Sequence, residues 1–252
     1  MVGSLTDGLP IDADAATSDA RPRLYARYVS THGTDGADGG VLWARSQVIP
    51  RMPDSRTARI LDIGCGAGGL VAMLRDDGYQ HARGIDISEE QVALAHERGI
   101  EGVELADLKG HLSSAPETYD VIVALDVLEH FEPGEVLELL DLVARALKPG
   151  GMLLARTPNA GSPFFGRYRY GDLTHGLAFT ARSLRQALAT TGFEHAEFSS
   201  VDPVPHGVLS AARFAVWQLI AGLFKFCLAV ETGQLRDHVV TQNIVVTARR
   251  SG

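Results

Sequence analysis

The chain of 252 residues carries 23 Lys and Arg against 31 Asp and Glu, a net charge of −8, and is 45% hydrophobic. That length and apolar content fit one domain able to bury a full core, and exclude disorder as the dominant state. The acidic balance argues against nucleic acid as the main partner, and two cysteines, Cys65 and Cys227, exclude a disulfide framework. With no basic-then-apolar leader, the expected compartment is the cytoplasm.

Residues 1–20 hold Gly, Ser, Asp and Ala without an apolar period and read as a disordered leader, leaving 21–252 as a single domain. Segment 21–53 places Tyr25, Tyr28, His32 and Trp43 around the glycines of 33–40. It reads either as a lid over a site or as a helix packed on the domain. Regular alternation follows. Arg59–Ile63, Ala82–Asp86, Val103–Leu105, Tyr119–Leu125 and Met152–Arg156 are short apolar runs, the mark of buried strands. Helices fall between them at Leu70–Arg75, ended by Gly78, and at Ser88–Arg98, opened by a capping box from Ser88 to Gln91 and stopped by Gly99. Pro133 opens another helix. Its Val136, Leu139, Leu140, Val143 and Leu147 recur at helical spacing, and Lys148-Pro-Gly-Gly151 ends it.

Phe193–Val201 and Val239–Ala248 read as strands on either side of an apolar helical stretch, Val208–Val230. Its uninterrupted run, Phe214–Phe224, is too short to cross a bilayer, so no transmembrane segment is expected. Three readings remain for the region 203–235: a helical cap over an acceptor pocket, a face for a homodimer, or an interfacial helix. The first two are favoured. Strands alternating with helices predict a doubly wound α/β fold with a mainly parallel sheet.

The first strand runs into Asp62-Ile-Gly64-Cys-Gly66-Ala-Gly68-Gly69. Formally Gly64, Gly66 and Gly69 spell the dinucleotide fingerprint, with Asp86 ending the next strand. The glycines say only that a ligand approaches the backbone at a helix N-terminus. The acids discriminate. Asp62 faces whatever the loop holds, and a carboxylate against a pyrophosphate would cost energy through like-charge repulsion. A ligand bearing an ammonium and a sulfonium would accept it. Asp86 fits a bidentate grip on ribose hydroxyls, and Asp107 after the third strand fits an acceptor for an adenine amino group. Three acids at successive strand ends suit S-adenosylmethionine better than NAD.

The run from Ile60 to Gly151 resembles the nucleotide-binding core of class I S-adenosylmethionine-dependent methyltransferases. The resemblance rests on Leu61-Asp-Ile-Gly-Cys-Gly-Ala-Gly68, Gly84-Ile-Asp-Ile-Ser88, Ala106-Asp-Leu108, Tyr119-Asp-Val-Ile-Val-Ala-Leu-Asp-Val-Leu-Glu-His130 and Leu147-Lys-Pro-Gly-Gly151. It implies a Rossmann-like, seven-stranded sheet whose last strand, Val239–Ala248, is antiparallel. It also implies that Ile87, Leu108 and the backbone around Leu125 lie near the cofactor.

Methyl transfer to a weakly acidic hydroxyl needs alignment and a base. His130, in Asp126-Val-Leu-Glu129-His130 after strand four, is the leading candidate. Asp126, Glu129 and His130 together form an alternative, a Mg²⁺ site that would acidify the hydroxyl. This loop resembles that of metal-assisted quinone O-methyltransferases, with Asp126 where those carry Glu. Beyond strand five lie Thr157-Pro-Asn159 and then Arg167, Tyr168, Tyr170, Asp172 and His175. Aromatic rings stack on sugar faces and Arg, Asn and Asp bond hydroxyls, so this loop is expected to hold a saccharide acceptor. His175 is a second candidate base or an orienting acid. Together with Tyr28-Val-Ser-Thr-His32, Pro203-Val-Pro-His206-Gly207 and Glu231-Thr-Gly233, the stretch is similar to bacterial methyltransferases of polysaccharide and glycolipid assembly. That implies O-methylation of a sugar; O-methylation of a small phenol, quinone or natural product is the alternative. A cofactor-binding but inactive partner subunit is disfavoured, because no acid of the glycine loop is lost.

Overall fold

The structure, a computed structural model, describes residues 37–233 and 238–252. The expected leader, and segment 21–53 up to residue 36, lie outside the described residues. The chain runs α1 (Ala37–Gln47), β1 (Ile60–Ile63), α2 (Gly69–Asp76), β2 (Ala82–Asp86), α3 (Glu89–Glu97), β3 (Val103–Leu105), α4 (Leu108–Ser113) and β4 (Tyr119–Leu125). It continues through a 3₁₀ turn at Leu128–His130, α5 (Pro133–Ala146), β5 (Leu147–Pro158), α6 (Gly166–Arg169), α7 (Ala181–Thr190), β6 (Phe193–Ser200), α8 (Val208–Thr232) and β7 (Asn243–Arg250).

The seven strands form one sheet in the order β3-β2-β1-β4-β5-β7-β6. All neighbours pair in parallel except around β7, which is antiparallel to both β5 and β6. The antiparallel last strand expected from the resemblance is therefore present. Side chains along a strand alternate faces, and the cores follow that period of two. Leu61, Ile63, Ile122 and Ala124 join a cluster with α5 and α7, while Ile60, Val121 and Val123 join a second with Trp43, Val48 and Leu74. A strand buried on both faces has no room for a polar position, hence the unbroken Val-Ile-Val-Ala-Leu of β4.

The chain builds β1, β2 and β3 in one direction and returns to place β4 on the other side of β1. At such a switch point two loops part, leaving a crevice at the carboxyl ends of β1 and β4. Two local expectations are corrected. Leu147 caps α5 and already pairs with Tyr119 as the first residue of β5, which is far longer than Met152–Arg156. Lys148 precedes Pro149, a position that disfavours helix, and the residues between Leu147 and Met152 loop out of register within the strand. The apolar stretch is one 25-residue helix, α8, since Arg213, Gln218 and Lys225 interrupt its hydropathy without breaking its backbone. By length and composition it is apolar enough to cross a membrane, contrary to the length reading from Phe214–Phe224 alone.

Candidate active site

The crevice is built from strand ends. After β1 the backbone turns through Gly64, Gly66 and Gly68, all with positive φ, before α2 begins. Gly68 sits at +74°, and a Cβ there would lie 2.7 Å from Val103 Cγ2 and 3.1 Å from Ile100 Cγ2. Only glycine meets both demands. Gly69 is already helical, with open space around it. The positions in this turn whose backbone favours glycine are thus 64, 66 and 68, while Gly69 is not so constrained.

Asp86 holds the loop in place. The Gly66 N–H donates to its Oδ2 at 2.8 Å and the Ser88 N–H to its Oδ1 at 2.8 Å. Burial raises its pKa against these bonds. Each carboxylate oxygen keeps a second lone pair for a ligand hydroxyl. Ile87 beside it is 58% exposed, and Leu105 at the end of β3 is also exposed. Leu105 is an apolar neighbour that sequence reasoning missed. Asp107 caps α4, accepting from the Gly110 N–H at 2.8 Å, and Leu108 follows half-buried. Leu125 is half-buried at the end of β4.

Asp62 is buried at the carboxyl end of β1. Burial, and secondarily the nearby charge of Asp86, push its pKa up to about 8, with Arg156 opposing. A further cation beside a carboxyl so placed would favour its ionised form. The cradle therefore fits a ligand with a positive group over Asp62 and hydroxyls near Asp86, as S-adenosylmethionine has.

Sequence reasoning also missed the group next to it. Arg156 near the end of β5 donates from Nε to Asp126 Oδ1 at 2.9 Å and from its terminal nitrogen to Oδ2. Its guanidinium lies 4.5 Å above the Trp43 ring. Asp126 takes a left-handed backbone, φ +57°, which Asp tolerates better than most residues. The signal was an arginine on an otherwise apolar buried strand. Glu129 is fully buried: its Oε2 accepts from Thr157 at 3.1 Å, while its Oε1 has no hydrogen-bond partner. Burial drives its pKa well upward. Asp126 is thus engaged by a guanidinium and Glu129 is enclosed against Thr157. No three His, Cys, Asp or Glu converge among the described residues. This donor set does not fit Mg²⁺.

His130 ends the 3₁₀ turn. Thr174 Oγ1 donates to Asp172 Oδ1 at 2.7 Å and lies 2.8 Å from His130 Nδ1. A hydroxyl has one proton. With it spent on the carboxylate, Thr174 accepts from an Nδ1–H, so neutral His130 carries its lone pair on Nε2. Burial, then the His175 ring, push the His130 pKa down to about 4. The two rings meet edge to face at 4.8 Å. His175 donates from Nδ1 to the Tyr168 carbonyl at 2.7 Å. The loop is pinned below them, because Gly176 and Leu177 N–H groups both donate to the Glu129 carbonyl.

The expected acceptor residues divide. Arg167, Tyr168 and Tyr170 are exposed. Asn159 is buried, its amide donating to the Val239 and Thr241 carbonyls, and Asp172 is buried on Thr174. Those two shape the loop.

A switch-point crevice with a glycine turn and acids at successive strand ends defines the class as a Rossmann-like methyltransferase. The chain belongs to the methyltransferase domain family, whose model matches residues 42–197. Ubiquinone biosynthesis O-methyltransferase of Aeromonas salmonicida is 37% identical over 107 residues, 40% of this chain and 43% of that protein. The protein of the same name from Xylella fastidiosa is 34% identical over 117 residues, 44% of this chain and 46% of that one. The similarity thus spans less than half the length of these curated relatives. Among solved structures, an S-adenosylmethionine-dependent methyltransferase from Archaeoglobus fulgidus superposes with a TM-score of 0.62 at 22% identity, over 84% of this chain and 94% of that one. One from Mesorhizobium loti gives 0.57 at 23% identity, over 85% and 100%. These share the fold.

Proposed function

We propose that the protein transfers a methyl group from S-adenosylmethionine to the oxygen of a small acceptor with an acidic hydroxyl, of the phenol or quinol class, with His130 as general base. When bound, S-adenosylmethionine supplies an electrophilic methyl on its sulfonium. Asp62 would carry the negative charge facing that cation, Asp86 would accept from the ribose, and Ile87 and Leu105 would give its ring an apolar seat. Asp107 and Leu108 lie on the same rim.

The observation that carries the acceptor class is the state of His130. Its Nδ1 proton is committed to Thr174, and its pKa of about 4 keeps it neutral at physiological pH. Full proton transfer from a phenol of pKa about 10 costs about 8 kcal/mol less than from a hydroxyl near the 15.7 of water whatever the base, and a weak base leaves less driving force for either, so the more acidic hydroxyl is the easier acceptor. The names of the curated relatives point the same way. The saccharide acceptor is supported by the exposed Arg167, Tyr168 and Tyr170 and by the resemblance of this stretch to methyltransferases of polysaccharide and glycolipid assembly, whereas Asn159 and Asp172 are buried in contacts within the protein.

The test is release of S-adenosylhomocysteine with a panel of phenols and quinols beside mono- and disaccharides, each with and without EDTA. Turnover of a phenol, unaffected by EDTA and cut about 10²–10⁴-fold in His130→Ala, is the expected result. Turnover confined to saccharides overturns the acceptor class, and full activity in His130→Ala overturns the base.

A further inference from the structure

Helix α8 has two apolar faces, and the body of the protein uses only one. Its inner stripe is Ser210, Phe214, Trp217, Ala221, Phe224 and Leu228, all buried or half-buried. Phe224 meets Phe164 edge to face at 5.7 Å, and Trp217 Nε1 donates to Asp202 Oδ1 at 2.8 Å. The outer stripe is Leu209, Ala212, Val216, Leu219, Leu223, Phe226 and Val230. These positions are spaced three and four apart without a break, an a/d heptad seam over three heptads. Leu209 is 87% exposed, Leu219 77% and Val230 70%, and among the described residues nothing covers them.

We infer that this seam is a self-association surface, on which α8 of a second copy of the chain packs by knobs into holes. Three features support that occupant. The seam keeps its spacing over three heptads, which lets each knob meet a hole of a facing helix. Ala215, Gly222 and Ala229 flank the seam at the same period, leaving room for a backbone to approach. The area is also of the right size. The exposed seam side chains offer on the order of 800 Å² of apolar surface per chain, one partner's share of a stable interface. A two-fold pairing makes this patch complementary to itself. Against a membrane, the chain carries net charge −8 and the inner stripe ties α8 to Phe164 and Asp202, contacts that spanning a bilayer would break.

The inference stands apart from the acceptor reading. Its test is sedimentation velocity of the full chain at micromolar concentration, with flotation on phosphatidylcholine–phosphatidylglycerol vesicles in parallel. A dimer is expected, converted to monomer by Leu219→Lys combined with Leu223→Lys. The same double variant should keep its affinity for S-adenosylhomocysteine, which shows that it is folded. Lys225→Glu, off the seam, should remain dimeric. A wild-type monomer overturns the inference, whether or not it floats with vesicles, and so does a folded double variant that stays dimeric.

Discussion

At the scale of single residues, the site is run by two titratable groups moved in opposite directions relative to their charge needs. Asp62 has its pKa raised to about 8 by burial, so at neutral pH the empty site holds it mostly protonated. A cationic ligand selects the ionised form and must expel that proton. Affinity for S-adenosylmethionine should therefore fall about tenfold per pH unit as pH drops below about 8, and calorimetry in buffers of different ionisation heat should register proton release. Asp62→Asn should flatten that dependence while weakening binding. The folded-state pKa exceeds the unfolded value of about 3.9, so the ligand-free protein is stabilised by this group below pH 4 and loses that contribution as pH rises from about 4 to 8. His130 works the other way. Burial lowers its pKa to about 4, which predicts an acid limb of kcat/KM well below the usual histidine value of about 6.5. Thr174→Val removes the group that fixes the ring tautomer. It should lower kcat about tenfold or more with the KM for S-adenosylmethionine unchanged, and Thr174→Ser should restore it. Here the sequence was only half legible. Asp62, Asp86 and His130 announce themselves by position at or just beyond a strand's carboxyl end, whereas Thr174 lies 44 residues from His130 and Arg156 lies 30 from Asp126. Those pairings exist only once the sheet has brought strands four and five together.

At the scale of elements, the glycine turn is where local sequence and tertiary packing agree. Gly68→Ala would force a left-handed alanine against Val103 and Ile100. A cost of about 2 kcal/mol or more is expected, lowering Tm by roughly 4–8 °C in calorimetry. Gly69→Ala, helical and unobstructed, should leave Tm unchanged or slightly raised. The parallel strands were legible to within a residue or two, because burial on both faces writes them as unbroken apolar runs. The ends of α5 and β5 were not. Leu147 keeps helical spacing in sequence but turns extended before Lys148-Pro149, and only the pairing with Tyr119 reveals that it begins a strand. The proposed Mg²⁺ site failed for a similar reason: adjacency in sequence does not say that Arg156 has already claimed Asp126.

At the scale of the whole molecule, the apolar stretch was legible as a helix while its two-sided character was not. The inner stripe depends on where the body of the protein lies, which the sequence does not state. If α8 joins two copies, each acceptor loop is braced from behind, since Phe224 rests on Phe164. The order of the sheet has a separate consequence. β7 is the seventh strand in chain order yet lies inside the sheet, between β5 and β6, and is the one strand that β6 pairs with. During synthesis on the ribosome β6 therefore emerges with no neighbour to pair with, and must wait, through all of α8, for the strand that will adopt it. Until β7 is made, the outer edge of β5 and the edge of β6 that β7 will occupy both stay open.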